Sequence, residues 1–339
     1  MVNRLILNIS RYLKLVGVIH LMLFVGPSLL AGIGQVTRTY ALSVGGEFVT
    51  FGDKALKEHY PCVFIFALPL DQHVEMIEQY YKKLAPRMIL MTVCETETVH
   101  PDYAKLLKVS NTIYCPSNFA AFVLQRQFPQ GDFKVLHHWV QPVPKSVTTS
   151  IVPYTFYTIG NIMDPRKNIR MLIEAFMRLN MKDCRLVLKA TCKQPVEWRF
   201  PNVQIINGVL SDKAMDDVHN MCHCYVNCSH SEGVGMVAVE AAMRDKPVII
   251  TKYGGLKEYV QTPYVVDCTV GEIGFDDFLY TKDLKWGHPS LDSLMHHMKE
   301  CYDKRLVTYD HTFSRNLVSA VPDHISKLAK LPGQQKGSR

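Results

Sequence analysis

The sequence lacks the marks of several protein classes. It has no low-complexity tract, internal repeat or coiled-coil heptad pattern, which excludes disordered, solenoid and long coiled-coil architectures. Its basic residues are scattered rather than gathered into runs interleaved with aromatics, so nucleic acid is not an expected partner. The apolar stretch at 15–26 is interrupted by His20 and is too short to span a bilayer. A globular fold therefore has to account for most of the chain.

Length and composition fit two globular α/β domains. The chain has 339 residues, and domains of this kind usually contain about 150. Hydrophobic residues make up 47% and charged residues 20%, which is typical of a folded soluble protein. The net charge of +7, from 38 Lys+Arg against 31 Asp+Glu, suits anionic substrates or anionic lipid surfaces but selects neither.

The ten cysteines predict reduced thiols rather than a disulfide framework, because the N-terminal residues do not form a convincing signal peptide. A cytoplasmic protein is therefore expected. Five potential zinc ligands lie close together: Cys222, His223, Cys224, Cys228 and His230. Their spacing does not provide the two well-separated ligand pairs of common zinc modules. We interpret this segment as a short buried strand and predict no metal site.

Residues 1–18 form an N-terminal extension with two open interpretations. Arg4, Asn8, Arg11 and Lys14 recur at spacings of four, three and three, which places them on one face of a helix. A basic amphipathic helix binds anionic membranes, so a peripheral membrane contact is one interpretation. The other is a helix packed on the protein or a poorly ordered leader. We favour the second, because periodicity over so few residues is weak evidence.

The first half of the chain predicts one Rossmann-like domain at 19–145. A buried strand at 20–25 is followed by a turn containing Gly32 and Gly34 and by a helix at 35–42. This order opens nucleotide-handling α/β domains. Further strands are predicted at 62–68, 87–94, 112–115 and 134–136, and helices at 71–85 and 117–127.

A second Rossmann-like domain is predicted at 146–325, followed by a tail at 326–339. The Pro-, Ser- and Thr-rich segment 141–150 spans the boundary between the two predicted domains and is interpreted as the linker. Apolar residues at i, i+3, i+4 and i+7 predict a helix that includes 169–176. Strands are predicted at 154–159, 186–188, 203–206, 225–227 and 248–251. Alternating strands and helices in both halves predict an α/β fold with two parallel sheets, whose carboxyl ends line a cleft between the domains.

The most informative segment is 231–242, where a glycine turn and a helix follow a predicted strand. Gly233 and Gly235 allow a tight turn with accessible backbone amides. The first N–H groups of the helix lack partners and lie at the positive end of the helix dipole, so they form an anion site suited to a diphosphate. Glu232 precedes this helix. Glu240 lies about one and a half turns into it, where a carboxylate can accept hydrogen bonds from a ribose.

Two glutamates separated by seven residues, in this setting, resemble the retaining GT-B glycosyltransferases of family four, also called group 1. The segment 160–168 (Gly-Asn-Ile-Met-Asp-Pro-Arg-Lys-Asn) is similar to the donor-phosphate segment of that family, and 286–289 resembles part of its C-terminal region. The similarity covers 154–300 well and 20–145 weakly. It implies a GT-B fold, in which two Rossmann-like domains face each other across a cleft. It also implies a hexosyltransferase-type enzyme that moves a sugar from a nucleotide diphosphate sugar to an acceptor hydroxyl with retention of configuration.

The resemblance implies roles for individual residues. Glu232 would contact the donor sugar, and Lys167 would neutralise the diphosphate leaving group. Glu95 lies where many relatives place a His or Glu near the reacting carbon. Donor binding would involve the glycine loop of the first domain, basic side chains, backbone amides and the ribose carboxylate: Gly32, Gly34, Arg166, Lys189, Gly233, Val234, Gly235, Met236 and Glu240.

Two positions depart from the family pattern. The family often has Arg directly after the glycine that matches Gly160, whereas this chain has Asn161, so Arg166 would supply the second positive charge. Lys189 ends a predicted strand where glycine is more usual, and its side chain could also reach the phosphates.

No divalent metal is expected to take part in the reaction. Glycosyltransferases of the competing GT-A architecture usually hold a metal through an Asp-x-Asp motif, and no two Asp of this chain are separated by a single residue. The nucleotide diphosphate sugar is the expected co-substrate, and the acceptor stays open between glycan, lipid and protein. Two alternatives remain open: a non-catalytic nucleotide-sugar-binding protein, and a sugar-nucleotide epimerase or phosphorylase on the same fold.

Overall fold

The computed structural model describes residues 22–29, 32–141, 143, 145 and 152–329. The helix predicted within 1–18 lies outside these residues, as do residues 330–339 of the predicted tail. Within the described part of the chain, no helix is both long and apolar enough to cross a membrane.

The first domain is built on a parallel six-stranded sheet. Its elements, in chain order, are β1 (Met22–Gly26), α1 (Gly32–Val44), β2 (Glu47–Thr50), β3 (Cys62–Phe66), α2 (Asp71–Gln79), a 3-10 turn (Tyr81–Leu84), β4 (Met88–Met91), a 3-10 turn (Pro101–Tyr103), α3 (Ala104–Leu107), β5 (Thr112–Cys115), α4 (Asn118–Gln127) and β6 (Asp132–Val135). The strand order in the sheet is β2-β1-β3-β4-β5-β6.

The second domain has its own parallel six-stranded sheet and an antiparallel hairpin. Its elements are β7 (Tyr154–Gly160), a 3-10 turn (Pro165–Lys167), α5 (Ile169–Leu179), β8 (Cys184–Ala190), β9 (Val203–Ile206), α6 (Asp212–Met221), β10 (Cys224–Asn227), α7 (Met236–Met243), β11 (Val248–Thr251), α8 (Leu256–Tyr259), β12 (Val265–Val266), the hairpin β13 (Cys268–Glu272) and β14 (Lys285–Pro289), α9 (Leu291–Asp303), α10 (Thr312–Ser319) and α11 (Val321–Ala329). The strand order is β12-β11-β10-β7-β8-β9.

These sheets confirm the expected α/β fold with two parallel sheets. β1 and β3 each have five consecutive buried residues, the pattern of strands covered by helices on both faces. In the second sheet the chain winds outward from β7 through β8 to β9 and then in the opposite direction from β10. β7 and β10 are therefore neighbours at a topological switch point, and open α/β sheets bind ligands at the carboxyl ends of such strands.

Each strand predicted from the sequence corresponds to a strand of the structure; the ends agree at 112–115, 203–206 and 248–251 and are shifted in the others. Four strands were not predicted: β2, β12 and the hairpin β13–β14. β12 contains two residues, too few for a periodic apolar pattern, and β2 contains only two buried residues, at alternate positions. The hairpin sequence mixes glycine and charged residues, and its one large buried side chain is that of Trp286, which is 1% exposed.

The predicted end of the second domain, at residue 325, lies inside the C-terminal helix α11. This helix packs against α1 of the first domain. Val321 and Ile325, one turn apart, are 1% and 0% exposed and join the apolar cluster that contains Phe24 and Tyr40. The chain therefore returns from the second domain to the first, because these apolar residues are buried there.

Side chains at the base of the cleft join the two domains. The Glu258 carboxylate of α8 accepts hydrogen bonds from the backbone N–H groups of Asn118 and Phe119, at 2.7 and 2.8 Å. It thereby completes the N-terminus of α4, where Ser117 caps the next free donor, the Ala120 N–H. A negative charge at the first turn also interacts favourably with the helix dipole.

Replacing Glu258 with alanine is expected to lower the stability of the pair of domains. Glu258→Ala removes the acceptor for two N–H groups and should cost about 1–2 kcal/mol, or roughly 2–4 °C in Tm. Lys257→Ala, at the exposed neighbouring position, is the matched control and should change Tm by less than 1 °C. Differential scanning calorimetry measures both, and equal Tm values for the two variants would contradict the inter-domain cap.

Candidate functional site

The loop between β10 and α7 is pressed between the two domains. Gly235 has φ +70°, a left-handed conformation that turns the chain into α7. A Cβ on Gly233 would clash with Val93 of the first domain, and one on Gly255 would clash with the carbonyl oxygen of Gly233. The glycines predicted at the turn are therefore required by close packing. Any larger residue at Gly233 or Gly255 would prevent the loop from packing this closely at the inter-domain cleft.

Glu232 is buried at the start of this loop and is surrounded by hydrogen-bond donors. Its Oε1 accepts from Lys167 Nζ at 2.6 Å, Ser229 Oγ at 2.8 Å and Asn227 Nδ2 at 3.2 Å, and its Oε2 accepts from Arg166 Nη1 at 3.1 Å. Burial alone would raise the pKa of this carboxyl group. The charges of Lys167 and Arg166, with hydrogen bonds from Lys167 and Ser229, instead hold the pKa well below its usual value. Glu232 is therefore ionised at neutral pH.

A short turn after β7 positions the two cations. Asp164 caps the 3-10 turn by accepting from the Arg166 N–H at 2.9 Å, and its other oxygen lies 3.3 Å from Arg166 Nη2. Asn168 then adopts a left-handed conformation with φ 54° and ends the turn. As a result, the side chains of Arg166 and Lys167 lie at the carboxyl end of the second sheet, beside Glu232.

Glu95, from the first domain, extends this charge network across the cleft. Its Oε1 accepts from the Gly233 N–H at 2.9 Å and lies 3.4 Å from Arg166 Nη1. Its Oε2 accepts a hydrogen bond from the hydroxyl of Tyr280, which belongs to the second domain. The structure thus brings together the three residues that the sequence nominated as catalytic: Glu232, Lys167 and Glu95.

An anion can bind to Arg166 and Lys167 only if it replaces the carboxylates that are paired with them. The Arg166 side chain is 13% exposed and is shared by three carboxylates, and the Lys167 ammonium is paired with Glu232. A diphosphate would have to replace some of these internal partners. Beside the network, a small cleft at the switch point between β7 and β10 is lined by Gly160, Lys167, Tyr225, Asn227 and Ser229, among others.

A family model matches part of the second domain. Residues 153–271 match the model described as Glycosyl transferases group 1. This part of the chain is therefore similar to the group 1 glycosyltransferases. A 130-residue segment of the chain is also 32% identical to an uncharacterized glycosyltransferase of Methanocaldococcus jannaschii, and it spans only 36% of that relative's length.

Solved structures show that the two described domains together have the GT-B fold. HepE of Anabaena, in complex with UDP-glucose, superposes with a TM-score of 0.60 at 13% identity over 90% of this chain and 98% of that one. TarM superposes with a TM-score of 0.58 at 12% identity over 86% and 58%, respectively. The sucrose-phosphate synthase of Thermosynechococcus elongatus gives 0.57 at 14% identity over 79% and 73%.

The other acidic residue of the motif, Glu240, lies in the second turn of α7. It is half-buried, and burial raises the pKa of its carboxyl group, against the lowering effect of Arg244. The Arg244 guanidinium donates to the backbone carbonyl of Glu240 at 3.2 Å. The position fits the predicted ribose contact, which stays a prediction.

Lys189 and Asn161 have other partners in this structure. The Lys189 side chain is 1% exposed, and its Nζ donates to the backbone carbonyls of Ala190 and Gly208, both at 2.7 Å. Its ammonium therefore supports the ends of the second sheet, and a contact with phosphates would require it to leave these carbonyls. Asn161 accepts from the Cys192 thiol at 3.1 Å. Arg166, unlike Asn161, contacts Glu232 and Glu95. This position is consistent with the expectation that Arg166 supplies the second positive charge in place of an Arg at position 161.

The predicted phosphate-binding glycines of the first domain lie at the N-terminus of α1. A Cβ on Gly34 would lie 2.5 Å from the Pro27 carbonyl oxygen, so this position requires glycine, whereas Gly32 faces open space. In the second domain, the amides of Val234, Gly235 and Met236 precede or begin α7, where helix geometry leaves N–H groups without intrahelical acceptors. The Gly233 amide is already bound by Glu95. No phosphate contact of these residues is tested by the structure.

The cysteine-rich segment forms the buried strand predicted for it. Cys222 and Cys228 are buried, and burial raises the pKa of both thiols to about 12, so neither is available as a thiolate. His223 Nδ1 accepts from the Thr155 N–H at 2.9 Å. His230 bonds to the Gly287 carbonyl through Nδ1 and stacks on Trp286, with ring centroids 4.7 Å apart. These side chains have structural partners.

Several functional neighbours were not predicted from the sequence. Ser229 and Asn227 hold Glu232, Asp164 holds Arg166, and Tyr280 holds Glu95. Ser229 and Asn227 lie only three and five residues before Glu232, so a search for donors near the motif would have found them. Tyr280 lies 185 residues from Glu95 in sequence, and no local pattern points to it.

Proposed function

We propose that this protein transfers a sugar from a nucleotide diphosphate sugar to an acceptor hydroxyl, with retention of configuration and without a divalent metal. The main support is the network of Glu232, Lys167, Arg166 and Glu95 at the switch point of a domain that resembles the group 1 glycosyltransferases. The network combines two cations suited to a diphosphate with two carboxylates facing the same cleft.

In this proposal the donor lies along the carboxyl ends of β7 and β10. Its diphosphate binds Lys167 and Arg166 and the N-terminal amides of α7, where the helix dipole favours negative charge. The ribose hydroxyls donate to Glu240, because a carboxylate accepts a pair of hydroxyls well. Glu232, which is released from part of its pairing when the phosphates bind the two cations, contacts the sugar.

The chemical step is substitution at the anomeric carbon. The bond from this carbon to the phosphate oxygen breaks, and Lys167 with Arg166 stabilises the anionic leaving group electrostatically. A new bond forms between the anomeric carbon and the acceptor oxygen on the same face. The acceptor proton passes to the departing diphosphate, so the nucleoside diphosphate is released with charge and atoms balanced. The ionised Glu232 and Glu95 stabilise the cation-like sugar. The two domains around the cleft exclude water, which competes as an acceptor.

Uridine nucleotides are the first donors to test. HepE was solved with UDP-glucose, and a trehalose-6-phosphate enzyme of E. coli with the same fold was solved with UDP-2-fluoro glucose. We expect a shift in Tm with one sugar nucleotide of a panel in the absence of metal, since a ligand at 100 times its Kd adds about 2.7 kcal/mol of stability. Lys167→Ala should abolish the shift. The control variant Lys213→Ala, which replaces an exposed lysine on α6, should retain the shift in Tm. If Lys167→Ala also retains the shift, the proposed donor site is contradicted.

Catalysis predicts a large kinetic effect at Glu232. Glu232→Gln preserves the size of the side chain and removes its charge, and we expect the rate of nucleoside diphosphate release to fall about 10²–10³-fold. The exposed Glu174 on α5 gives the matched control, because Glu174→Gln removes an equivalent charge away from the cleft. An enzyme with Glu232→Gln that keeps the wild-type rate would rule out this role.

Metal independence is tested by chelation. With the donor identified, release of nucleoside diphosphate should stay within about twofold when the protein is assayed in excess EDTA, because fixed side-chain charges do the work of a Lewis acid. The assay is a coupled measurement of nucleoside diphosphate. Activity lost in EDTA and restored by Mn²⁺ would show that the metal-free mechanism is wrong.

The same assays separate the alternatives. A non-catalytic binding protein would show the shift in Tm with the donor but would release no nucleoside diphosphate. The ion pairs of Arg166 and Lys167 with carboxylates in this structure are compatible with such a protein. An epimerase would return a changed sugar nucleotide. A phosphorylase would require inorganic phosphate.

A further inference from the structure

Helix α9 of the second domain has a group of potential metal ligands on one face. His296, His297 and Glu300 each present one ligand atom, and the three atoms lie within 4.8 Å of one another. The spacing explains this proximity, because residues three and four apart on a helix are neighbours. Among the described residues, this is the only group of three or more His, Cys, Asp or Glu side chains with such proximity.

The ring of His297 is held with one nitrogen directed toward this group. Its Nε2 lies 3.1 Å from the backbone carbonyl oxygen of Val265. A carbonyl oxygen can only accept, so Nε2 carries the hydrogen, and Nδ1 bears the lone pair of the neutral ring. Metal-binding histidines are usually fixed in this way, with the second ring N–H donated to a carbonyl or carboxylate. The Tyr264 ring packs edge-on against the imidazole at 6.1 Å and further restricts it.

Nδ1 of His297 faces Glu300 without a hydrogen bond. It is buried from solvent. The nearest carboxylate oxygen, Glu300 Oε2, is 3.7 Å away, beyond hydrogen-bond distance. In the neutral ring, Nδ1 and the Glu300 oxygen therefore present lone pairs to each other across a gap, whereas a protonated ring would form an ion pair with Glu300. A tetrahedral zinc ion with bonds of about 2.0–2.2 Å separates neighbouring ligand atoms by roughly 3.3–3.6 Å, close to the separation observed here.

The remaining groups leave this geometry open to a cation. Glu300 Oε1 accepts from Lys304 Nζ at 2.6 Å, so the lysine occupies the oxygen that does not face His297. His296 is exposed, so its ring can turn to bring a nitrogen to the same point. Its ring centroid is 5.3 Å from that of His297. Two imidazole nitrogens and one carboxylate oxygen form a ligand set that suits zinc.

We propose that His296, His297 and Glu300 bind one zinc ion, with water in the fourth position. The hydrogen bonds and ion pairs of the His297 and Glu300 side chains involve each other, Val265 and Lys304, and none of them reaches the network around Glu232. The zinc site is thus separate from the sugar-transfer cleft and is compatible with metal-independent transfer.

The test uses the full chain, reduced and stripped of metal, titrated with Zn²⁺ by calorimetry and with Co²⁺ by absorbance. We expect one site per chain, with a tetrahedral cobalt spectrum that lacks the thiolate-to-cobalt charge-transfer band. His296→Ala and Glu300→Gln should each weaken binding by at least about tenfold. Both variants alter ligands outside the contact with Tyr264, so folding should persist.

Two controls make the result specific. Lys304→Ala removes the same ion pair as Glu300→Gln but leaves the three ligands, so the affinity for Zn²⁺ should stay the same or increase. His324→Ala removes an exposed histidine of α11 and should leave the affinity unchanged. Absence of a one-to-one site, equal affinity in the wild type and both ligand variants, or a thiolate band from cysteine binding would each overturn the proposal.

Discussion

The burial of the Arg166 guanidinium between two domains is the constraint on which the site depends. A charge removed from water is costly unless several partners compensate for it. Arg166 has three carboxylate partners: Asp164 on its own turn, Glu232 on the loop before α7, and Glu95 on the first domain. All three loops must be in position together for this burial to be tolerated. The same pairing therefore positions the cations, keeps Glu232 ionised and links the site to the relative position of the domains.

The inter-domain contacts explain how such a site can be assembled from distant segments. Glu258 closes the N-terminus of α4 from across the cleft, and α11 returns the chain to the first domain. Gly233 and Gly255 permit the loops to approach within contact distance of the opposite surface. A diphosphate donor would enter a cleft whose cations already have anionic partners, so binding would exchange one set of charge pairs for another. Exchange of this kind favours a ligand with at least two negative charges over a neutral sugar.

Local patterns were sufficient to predict much of the fold and the centre of the site. Continuous apolar runs predicted β1 and β3, and the helix predicted at 117–127 corresponds to α4, with Ser117 as its N-cap. The Glu232 motif was recognisable because a turn, a helix start and two carboxylates occupy one short segment. Tyr280, Glu258 and the packing of α11 were not predictable, since each depends on a partner in the other domain. The partners of Lys189 were not predictable from residue type, because its ammonium donates to the backbone carbonyls of Ala190 and Gly208; its phosphate contact stays a prediction.

The most direct test of this account is a crystal structure of the protein with the sugar nucleotide that stabilises it. The account predicts the diphosphate within hydrogen-bond distance of Lys167 and Arg166, the ribose on Glu240 and the sugar beside Glu232, with at least one of the present carboxylate pairs of Arg166 broken. A nucleotide bound away from β7 and β10, with the pairing of Arg166 and Lys167 unchanged, would contradict it.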